Sequence, residues 1–242
     1  MVSDCLFISD LHLAPERPQI IQLYLRFLQE KARHARQLYI LGDFVEYWLG
    51  DDDPAPGLQD VFDTMHQLSS SGLHIYMMHG NRDFLIGEQL AQRCGFELLD
   101  DPSIIHVKDK PVLLLHGDTL CTDDVEYQKL RLMLRNPAWQ QAFLAKPIAE
   151  RTAMAQALRE KSKVETAAKA ADIMDVNEDE VAQAFRDHQC RLMIHGHTHR
   201  PAIHTLKVDD QAATRVVLGD WYSHGSYLQF NGVDDFELCR FE

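Results

Sequence analysis

Five short polar clusters each follow a strand-length apolar run in this sequence, and they hold most of the residues that could bind a metal. The clusters are Asp10-x-His12, Gly42-Asp43, Gly80-Asn81-Arg82-Asp83, His116-Gly117-Asp118 and Gly196-His197-Thr198-His199. A single Asp or His at a strand end is usually a cap or turn residue, but five such clusters in one chain are hard to explain in that way. The clusters therefore point to metal chemistry.

The candidate ligands combine imidazole, carboxylate and amide groups. They are Asp10, His12, Asp43, Asn81, His116, His197 and His199. Such a set, without thiolate, suits borderline divalent metals such as Mn, Fe, Co or Zn. Seven ligands are too many for one ion and are expected to hold two ions that share a carboxylate. Two metals about 3.5–4 Å apart can activate a water, bind a phosphoryl oxygen and stabilise an in-line displacement.

Apolar runs and helical patterns alternate along the chain. Each run is apolar without alternation and ends abruptly in Gly, Asp, Asn or His; with these polar ends, the segments span 5–12, 38–43, 75–83, 112–118, 191–199 and 215–221. They are typical of strands that are buried on both faces. Helical spacing of apolar residues predicts helices over 18–37, 59–68, 87–94 and 177–190. This alternation predicts an α/β protein, in which binding sites lie at the carboxyl ends of strands.

One segment, residues 129–170, lacks any strand pattern. It is rich in Ala, Leu, Arg and Lys, which predicts two or three helices broken near Pro137 and Pro147. It holds nine basic residues against three acidic ones, whereas the whole chain has a net charge of −13. We interpret 1–242 as a single domain that carries a basic helical insert at about 123–170.

The composition argues against several classes of protein. An acidic chain is a poor candidate for a protein whose whole surface binds nucleic acid, although a local phosphate site is compatible with it. Five widely spaced cysteines without a C-x-x-C pair favour a reducing compartment over a disulfide framework or structural zinc. The N-terminus lacks the pattern of a signal peptide, and no apolar run approaches the roughly 18 residues of a membrane span. A cytoplasmic protein is expected, with its oligomeric state left open.

In their order along the chain, the motifs D-x-H, GD, GN-[HR]-D, HGD and GHTH resemble the signature of the calcineurin-like metallophosphoesterases. The resemblance implies a two-sheet β-sandwich flanked by helices and two divalent ions, Mn²⁺ by similarity. The ligands that it implies for a first metal are Asp10, His12, Asp43 and His199. Those that it implies for a second metal are Asp43, Asn81, His116 and His197. Asp43 would then bridge the two ions.

Longer segments are similar to one subgroup of this family, in which the enzymes of lipid A biosynthesis cleave the diphosphate of a UDP-linked, diacylated glucosamine. These segments are SDLHL, LYILGDFVEYW, YMMHGNRDFLIG, LLLHGDTLCTDD and IHGHTHRP. The resemblance implies water attack on the α-phosphorus, with UMP and 2,3-diacylglucosamine 1-phosphate as products. It also implies peripheral association with the cytoplasmic face of the inner membrane of a Gram-negative bacterium.

By the same resemblance, seven residues occupy substrate-binding positions. They are Asn81, Arg82, Asp124, Ser162, Thr166, Lys169 and His197. Thr166 stands where relatives commonly have Asn, and a hydroxyl cannot copy both functions of an amide. Arg159, Ser162, Thr166 and Lys169 also share one face of a helix; a solvated basic face is the alternative interpretation.

Arg82 suits a diphosphate substrate. Many relatives have His at this position, where it can protonate an alkoxide leaving group, whereas Arg is a poor general acid. A phosphate monoester leaving group, with a second pKa of about 6, needs charge stabilisation more than a proton. We therefore predict that Arg82 is catalytic; an ion pair with Asp83 or another carboxylate is the alternative.

Two other functions are compatible with these motifs. One is a different metallophosphoesterase activity, such as a phosphoprotein phosphatase, a nucleotide phosphatase or a nuclease. The other is a binding module that keeps the fold without catalysis, although such a module would be expected to have lost ligands.

Overall fold

The computed structural model describes residues 3–107, 109–168, 175–232 and 234–242. Its strands are β1 (Ser3–Ile8), β2 (Ala35–Leu41), β3 (His74–Met78), β4 (Phe96–Leu99), β5 (Ser103–Val107), β6 (Lys110–Leu114), β7 (Leu192–His195), β8 (Ala202–Val208), β9 (Gln211–Val217), β10 (Gly225–Gly232) and β11 (Asp235–Phe241). Its α-helices are α1 (Pro18–Glu30), α2 (Gln59–Ser70), α3 (Glu88–Cys94), α4 (Val125–Leu134), α5 (Pro137–Leu144), α6 (Ile148–Ala168) and α7 (Glu178–Asp187).

The strands form two sheets whose central strands are parallel. The first sheet has the order β11-β10-β1-β2-β3-β4, and β1 to β4 are parallel, while β10 pairs antiparallel with both of its neighbours. The second sheet has the order β5-β6-β7-β9-β8, and β6, β7 and β9 are parallel. Parallel pairing brings the carboxyl ends of these strands to a common edge within each sheet.

The two sheets pack face to face across an apolar interior. Phe7 and Tyr39 of the first sheet stack at 4.7 Å between ring centroids, and they belong to one buried cluster with Leu114 and Ile194 of the second sheet. Helices α1, α2 and α3 cover the outer face of the first sheet, and α7 covers the second. This architecture confirms the predicted two-sheet sandwich flanked by helices.

Every predicted apolar strand is present, as β1, β2, β3, β6, β7 or β9. The other strands lacked a comparable apolar run in the sequence; β8 and β11, for example, are edge strands whose residues are largely exposed. The predicted helix over 18–37 was too long, because Ala35–Leu41 pairs with β1 instead. The helix predicted to reach residue 190 ends at Asp187. Pairing with β1 decided the first of these boundaries.

The insert forms the three helices α4, α5 and α6, with breaks near the predicted prolines. Pro137 is the first residue of α5, and the Asn136 side chain caps that helix by accepting a hydrogen bond from the backbone N of Ala138 at 2.9 Å. Pro147 immediately precedes α6. A helix ends before each proline and the next begins at or just after it, because proline has no backbone N–H to donate in a helix interior but is tolerated in the first turn.

A buried arginine ties the insert to the loop that follows β2. Arg151 of α6 is only 2% exposed. It donates hydrogen bonds to the carbonyl oxygen of Leu49 at 2.6 Å and to the carboxylate of Asp52 at 2.7 Å. Buried charges are stable only when they are paired in this way. Within the described ranges, none of the helices has the length and apolar character that crossing a bilayer requires.

Candidate active site

All seven predicted metal ligands lie directly after the carboxyl ends of parallel strands. They follow β1 (Asp10 and His12), β2 (Asp43), β3 (Asn81), β6 (His116) and β7 (His197 and His199). The structure brings them together where the edges of the two sheets meet. Anchoring on buried strands leaves such loops little conformational freedom.

The first group of ligand atoms belongs to Asp10, His12 and His199. One ligand atom from each lies within 4.8 Å of the others. Oδ1 of Asp10 is 3.2 Å from Nε2 of His199, which is 3.5 Å from Nε2 of His12. The other Asp10 oxygen accepts hydrogen bonds from Ser9 Oγ at 2.6 Å and from the backbone N of His197 at 2.9 Å. The carboxylate is therefore fixed with one oxygen facing the two imidazoles.

The second group joins Asn81, His116 and His197. Oδ1 of Asn81 lies 3.0 Å from Nε2 of His116 and 3.0 Å from Nδ1 of His197. Nδ1 of His116 is 2.9 Å from the carbonyl oxygen of Leu41. In a neutral ring whose proton is on Nδ1, this nitrogen donates a hydrogen bond to that oxygen. This hydrogen bond leaves the Nε2 lone pair directed at the group, as a metal ligand requires.

Asp43 stands between the two groups. Its Oδ2 is 3.7 Å from Nε2 of His12 in the first group, and its Oδ1 is 3.8 Å from Nε2 of His116 in the second. One oxygen therefore faces each group, which is the arrangement that a bridging carboxylate needs. Imidazole, carboxylate and amide donors in this arrangement fit a pair of borderline divalent ions.

Five of the seven candidate ligands have left-handed backbone conformations. Their φ values are 55° for Asp10, 49° for His12, 51° for Asp43, 68° for His197 and 56° for His199. Non-glycine residues rarely adopt this conformation, which costs of order 1–3 kcal/mol each and is typical of functional sites. The backbone holds it in place through hydrogen bonds between loops, from Asp10 N to Gly42 O at 3.1 Å and from His12 N to Asp43 O at 2.9 Å.

Burial and charge act in opposite directions on the ionisable groups of the site. Burial opposes ionisation of Asp10, but its hydrogen bond with His199 and the nearby imidazoles hold the pKa of its carboxyl below the ordinary value. Burial raises the pKa of Asp43. Burial also opposes protonation of His116, yet the surrounding carboxylates raise its pKa to about 9. The protein side chains thus attract positive charge to this site, which divalent cations would supply.

Gly80 allows two of the loops to approach each other. A Cβ at this position would lie 2.1 Å from Oδ1 and 2.2 Å from the backbone N of Asp43.

We predict that Gly80→Ala displaces the Asp43 loop and lowers Mn²⁺ affinity at least about tenfold, in line with other changes around metal ligands. Isothermal titration calorimetry would measure the Mn²⁺ affinity. Gly72→Ala is the control, because nothing lies within 4 Å of its Cβ position and only backbone strain is added; equal affinity losses in both variants would contradict the steric argument.

The predicted alternative role of Arg82, an ion pair with Asp83, is not found. Asp83 is fully buried and accepts hydrogen bonds from the backbone N of Phe44 and of Gly80, both at 2.7 Å. Across the described residues, Arg82 forms no ion pair, and its buried Nε has no hydrogen-bond partner. Asp83 holds two loops together, whereas the guanidinium of Arg82 is available to a ligand.

Two clefts of opposite character meet at Asn81, Arg82 and Tyr127, which line both. The polar cleft, of about 270 Å³, is lined by five of the seven candidate ligands and extends to Thr198, Arg200 and Tyr222. The second cleft, of about 110 Å³, lies between the first sheet's loops and the insert. Its apolar lining includes Trp48, Phe84, Leu85, Leu130, Leu134, Trp139, Phe143 and Leu158.

The predicted substrate residues of the insert are only partly placed. Asp124 lines the polar cleft and caps α4, accepting a hydrogen bond from the backbone N of Tyr127 at 3.1 Å. Ser162 and Thr166 belong to α6, but their side chains lie outside what the structure describes, and Lys169 lies outside the described residues. Their predicted roles are therefore untested.

Sequence reasoning missed two residues beside His12. The Tyr222 ring is parallel to the His12 ring, at 4° and 5.5 Å between centroids. Glu46 approaches His12 Nδ1 at 3.4 Å through one oxygen and accepts a hydrogen bond from Arg159 of α6 at 2.8 Å through the other. The position of Glu46, three residues after Asp43, was a signal that could have found it; nothing in the sequence marked Tyr222.

Comparison with known proteins agrees with this fold and site. The calcineurin-like phosphoesterase family profile matches residues 5–201, which include all seven candidate ligands. A solved archaeal phosphodiesterase aligns over 98% of this chain and 99% of its own, with a TM-score of 0.50 and 12% identity, and it supports the fold alone. The chain belongs to the calcineurin-like phosphoesterase family.

Within that family, the chain is similar to UDP-2,3-diacylglucosamine hydrolases along nearly its whole length. The hydrolase of Pseudomonas entomophila is 51% identical over 98% of both chains. That of Stenotrophomonas maltophilia is 51% identical over 93% of both chains, and that of Pseudomonas paraeruginosa is 50% identical over 93% of this chain and 94% of its own.

Proposed function

We propose that this protein hydrolyses the diphosphate of UDP-2,3-diacylglucosamine to UMP and 2,3-diacylglucosamine 1-phosphate. The similarity to UDP-2,3-diacylglucosamine hydrolases over nearly the full length supports this activity. The structural observation that carries it is the meeting of a polar, metal-ligating cleft and an apolar cleft at Arg82. A substrate with a charged nucleotide half and a diacylated half needs both environments.

The seven ligands are assigned to two divalent ions, taken to be Mn²⁺. Asp10, His12 and His199 would hold the first ion, Asn81, His116 and His197 would hold the second, and Asp43 would contribute to both. Ions bound there would supply water activation and neutralisation of phosphate charge. The left-handed loops hold the carboxylates and imidazoles in place before substrate arrives.

Asn81 and Arg82, at the junction of the clefts, orient the diphosphate. Water attacks the α-phosphorus, which bears the uridine, and the diacylglucosamine 1-phosphate leaves toward the apolar cleft. Arg82, whose Nε has no hydrogen-bond partner among the described residues, donates to the departing phosphate with Asn81 and His197 beside it. Because this leaving group is a phosphate monoester, charge stabilisation serves it without a proton donor.

The apolar cleft accommodates the acyl chains, since each buried CH₂ contributes roughly 0.8 kcal/mol. The nucleotide then extends into the polar cleft, toward Thr198 and Tyr222. Asp124, Ser162, Thr166 and Lys169 are assigned to substrate binding by resemblance, and the position of Asp124 in the polar cleft agrees with that role.

The decisive test is an Mn²⁺-dependent assay on UDP-2,3-diacylglucosamine in H₂¹⁸O, with product identification by mass spectrometry. We expect ¹⁸O in UMP, because water attacks the α-phosphorus. Label in the lipid product would contradict the direction of attack. Faster turnover of p-nitrophenyl phosphate or single-stranded DNA than of the lipid would favour another phosphoesterase activity.

Access to a lipid substrate also suggests peripheral binding to the inner membrane on its cytoplasmic side. The exposed surface of α4 and α5 carries the apolar side chains Val125, Leu132, Met133 and Leu144, and Leu132 is 71% exposed. Lys129 lies exposed on the same helix as Leu132. Apolar and basic groups together suit an anionic membrane surface.

We predict that the double variant Leu132→Ser/Lys129→Gln lowers partition onto anionic liposomes roughly tenfold or more, from lost burial and lost charge. Co-sedimentation measures this partition. Ile203→Ser/Lys207→Gln on β8 is the matched control, because it removes an exposed apolar residue and a lysine away from the insert. Equal partition of both variants and the unmodified protein would rule out this surface.

A further inference from the structure

The first helix of the insert contacts the loop that carries His116. Three α4 side chains reach Asp118, which is fully buried two residues after that histidine. Tyr127 OH and Arg131 Nε both donate hydrogen bonds to Asp118 Oδ2, at 2.6 and 2.8 Å, and Gln128 Nε2 donates to the Asp118 carbonyl oxygen at 2.8 Å. The loop therefore depends on α4 for its conformation.

The end of the same helix contacts the loop that carries Asn81. Arg135, the residue after α4, donates from its guanidinium to the carbonyl oxygen of Gly80 at 2.9 Å. Its guanidinium carbon also lies 5.3 Å from the centre of the Phe84 ring. Residues 127, 128, 131 and 135 thus form one contact surface, here called the α4 clamp, which spans both loops.

The α4 clamp is selective for one group of ligands. The Tyr127 ring also lies 5.9 Å from the His197 ring. The clamp therefore contacts His197 as well as the loops that carry Asn81 and His116. Over the described part of the chain, its side chains make no hydrogen bond, ion pair or ring contact with Asp10, His12 or His199.

We propose that the α4 clamp positions Asn81 and His116 and thereby sets the affinity of the second divalent-cation site, while the first site is independent of it. The inference rests on the two-ion assignment of the proposed function. It makes the insert part of the metal site as well as a wall of the substrate cleft. Tyr127, Arg131 and Arg135 are positioning residues in this account, because they act through the two loops.

A purely electrostatic role and a positioning role of Arg131 predict opposite changes in cation affinity when this arginine is replaced. Arg131 faces two buried carboxylates, with Asp118 at 2.8 Å and Asp101 at 4.0 Å. Replacing it by methionine leaves their negative charge uncompensated, which on Coulombic grounds alone strengthens binding of a cation nearby. If the clamp positions the ligands, affinity falls instead. The sign of the change therefore separates the two explanations.

The test is an Mn²⁺ titration of the full-length protein, followed by electron paramagnetic resonance, in which the spin-coupled signal of a pair reports the second ion. Arg131→Met/Arg135→Met and Tyr127→Phe are the variants, and Lys129→Met on the exposed side of α4 is the control. We expect the dissociation constant of the second ion to rise about 10- to 100-fold in both variants. The first ion should bind as in the unmodified protein, and Lys129→Met should leave both ions unchanged.

Unchanged or tighter binding of the second ion in the variants would overturn the proposal, as would equal weakening of both ions. Tyr127→Phe keeps the ring and the net charge, so it tests the clamp even if the double variant fails to fold. If the unmodified protein binds a single ion, the two-ion assignment fails along with the clamp. If two ions bind and the lipid is hydrolysed, but the variants match the control, only the clamp is wrong.

Discussion

Asp43→Ala is expected to reduce Mn²⁺-dependent turnover at least about 10³-fold. Asp43 presents one oxygen to His12 and the other to His116, so its loss removes a ligand from both groups at once. Metal ions stabilise transition-state charge by several kcal/mol, and each ~1.4 kcal/mol is worth tenfold in rate. Because the same carboxylate accepts a hydrogen bond from the backbone N of Arg82 at 2.8 Å, the Asn81–Arg82 loop is also expected to shift.

Turnover should be measured together with the metal content of the purified protein. Asp43→Asn keeps the shape and one carbonyl oxygen, and we expect it to retain more activity than Asp43→Ala. Asp60→Ala, at an exposed position in the first turn of α2, removes a carboxylate elsewhere and should leave both measurements unchanged. Ordinary turnover with two bound ions in Asp43→Ala would eliminate the bridging role.

Arg82→Met is expected to lower kcat by about 10²–10³-fold on the UDP-linked lipid, as is typical when one donor to developing charge is removed. Arg82 lines both clefts, and its buried Nε has no hydrogen-bond partner in the part of the chain that the structure describes. The guanidinium therefore has free donors where the two halves of the substrate meet. Arg82→Lys should recover part of the rate, because lysine keeps the charge but not the bidentate fork.

A second substrate makes this prediction specific. The leaving group of bis(p-nitrophenyl) phosphate is p-nitrophenolate, which carries no phosphate, so Arg82→Met should reduce hydrolysis of this substrate less than that of the lipid. Arg93→Met, which removes an exposed arginine above Phe62, is the control and should affect neither substrate. Equal losses on both substrates would show that Arg82 acts on the attacked phosphate rather than on the leaving group.

The positions of the candidate metal ligands followed from the sequence because each of them comes after an apolar run. Buried parallel strands require such runs, and their carboxyl ends share an edge, so the sequence predicted a site at that edge. The pairing of β2 with β3, which brings Asp43 near Asn81, came from the structure. Edge strands such as β8 and β11 escaped prediction, because a strand with an exposed face needs no continuous apolar run. The end of α1 was misplaced for a related reason, since pairing with β1 outweighed helical spacing at Ala35.

The substrate side of the site was less accessible to sequence reasoning. Tyr222 reaches His12 from a distant part of the chain, and no local pattern marks such a contact. In the sequence, Arg131 is one of nine basic residues of the segment 129–170 with no evident partner, whereas in the structure it is paired with Asp118. A residue type shows what a side chain can do, whereas its partners depend on which elements pack together.

By itself, the sequence determined the ligand chemistry, the α/β class and the helical insert, because residue types and local periodicity carry that information. Only the tertiary structure decided that the two oxygens of Asp43 face different groups, that five ligand residues adopt left-handed backbone, and that α4 holds two of the ligand loops. These features are contacts between segments far apart in the chain. Their geometry is set by packing of the two sheets and the insert, which no single segment encodes.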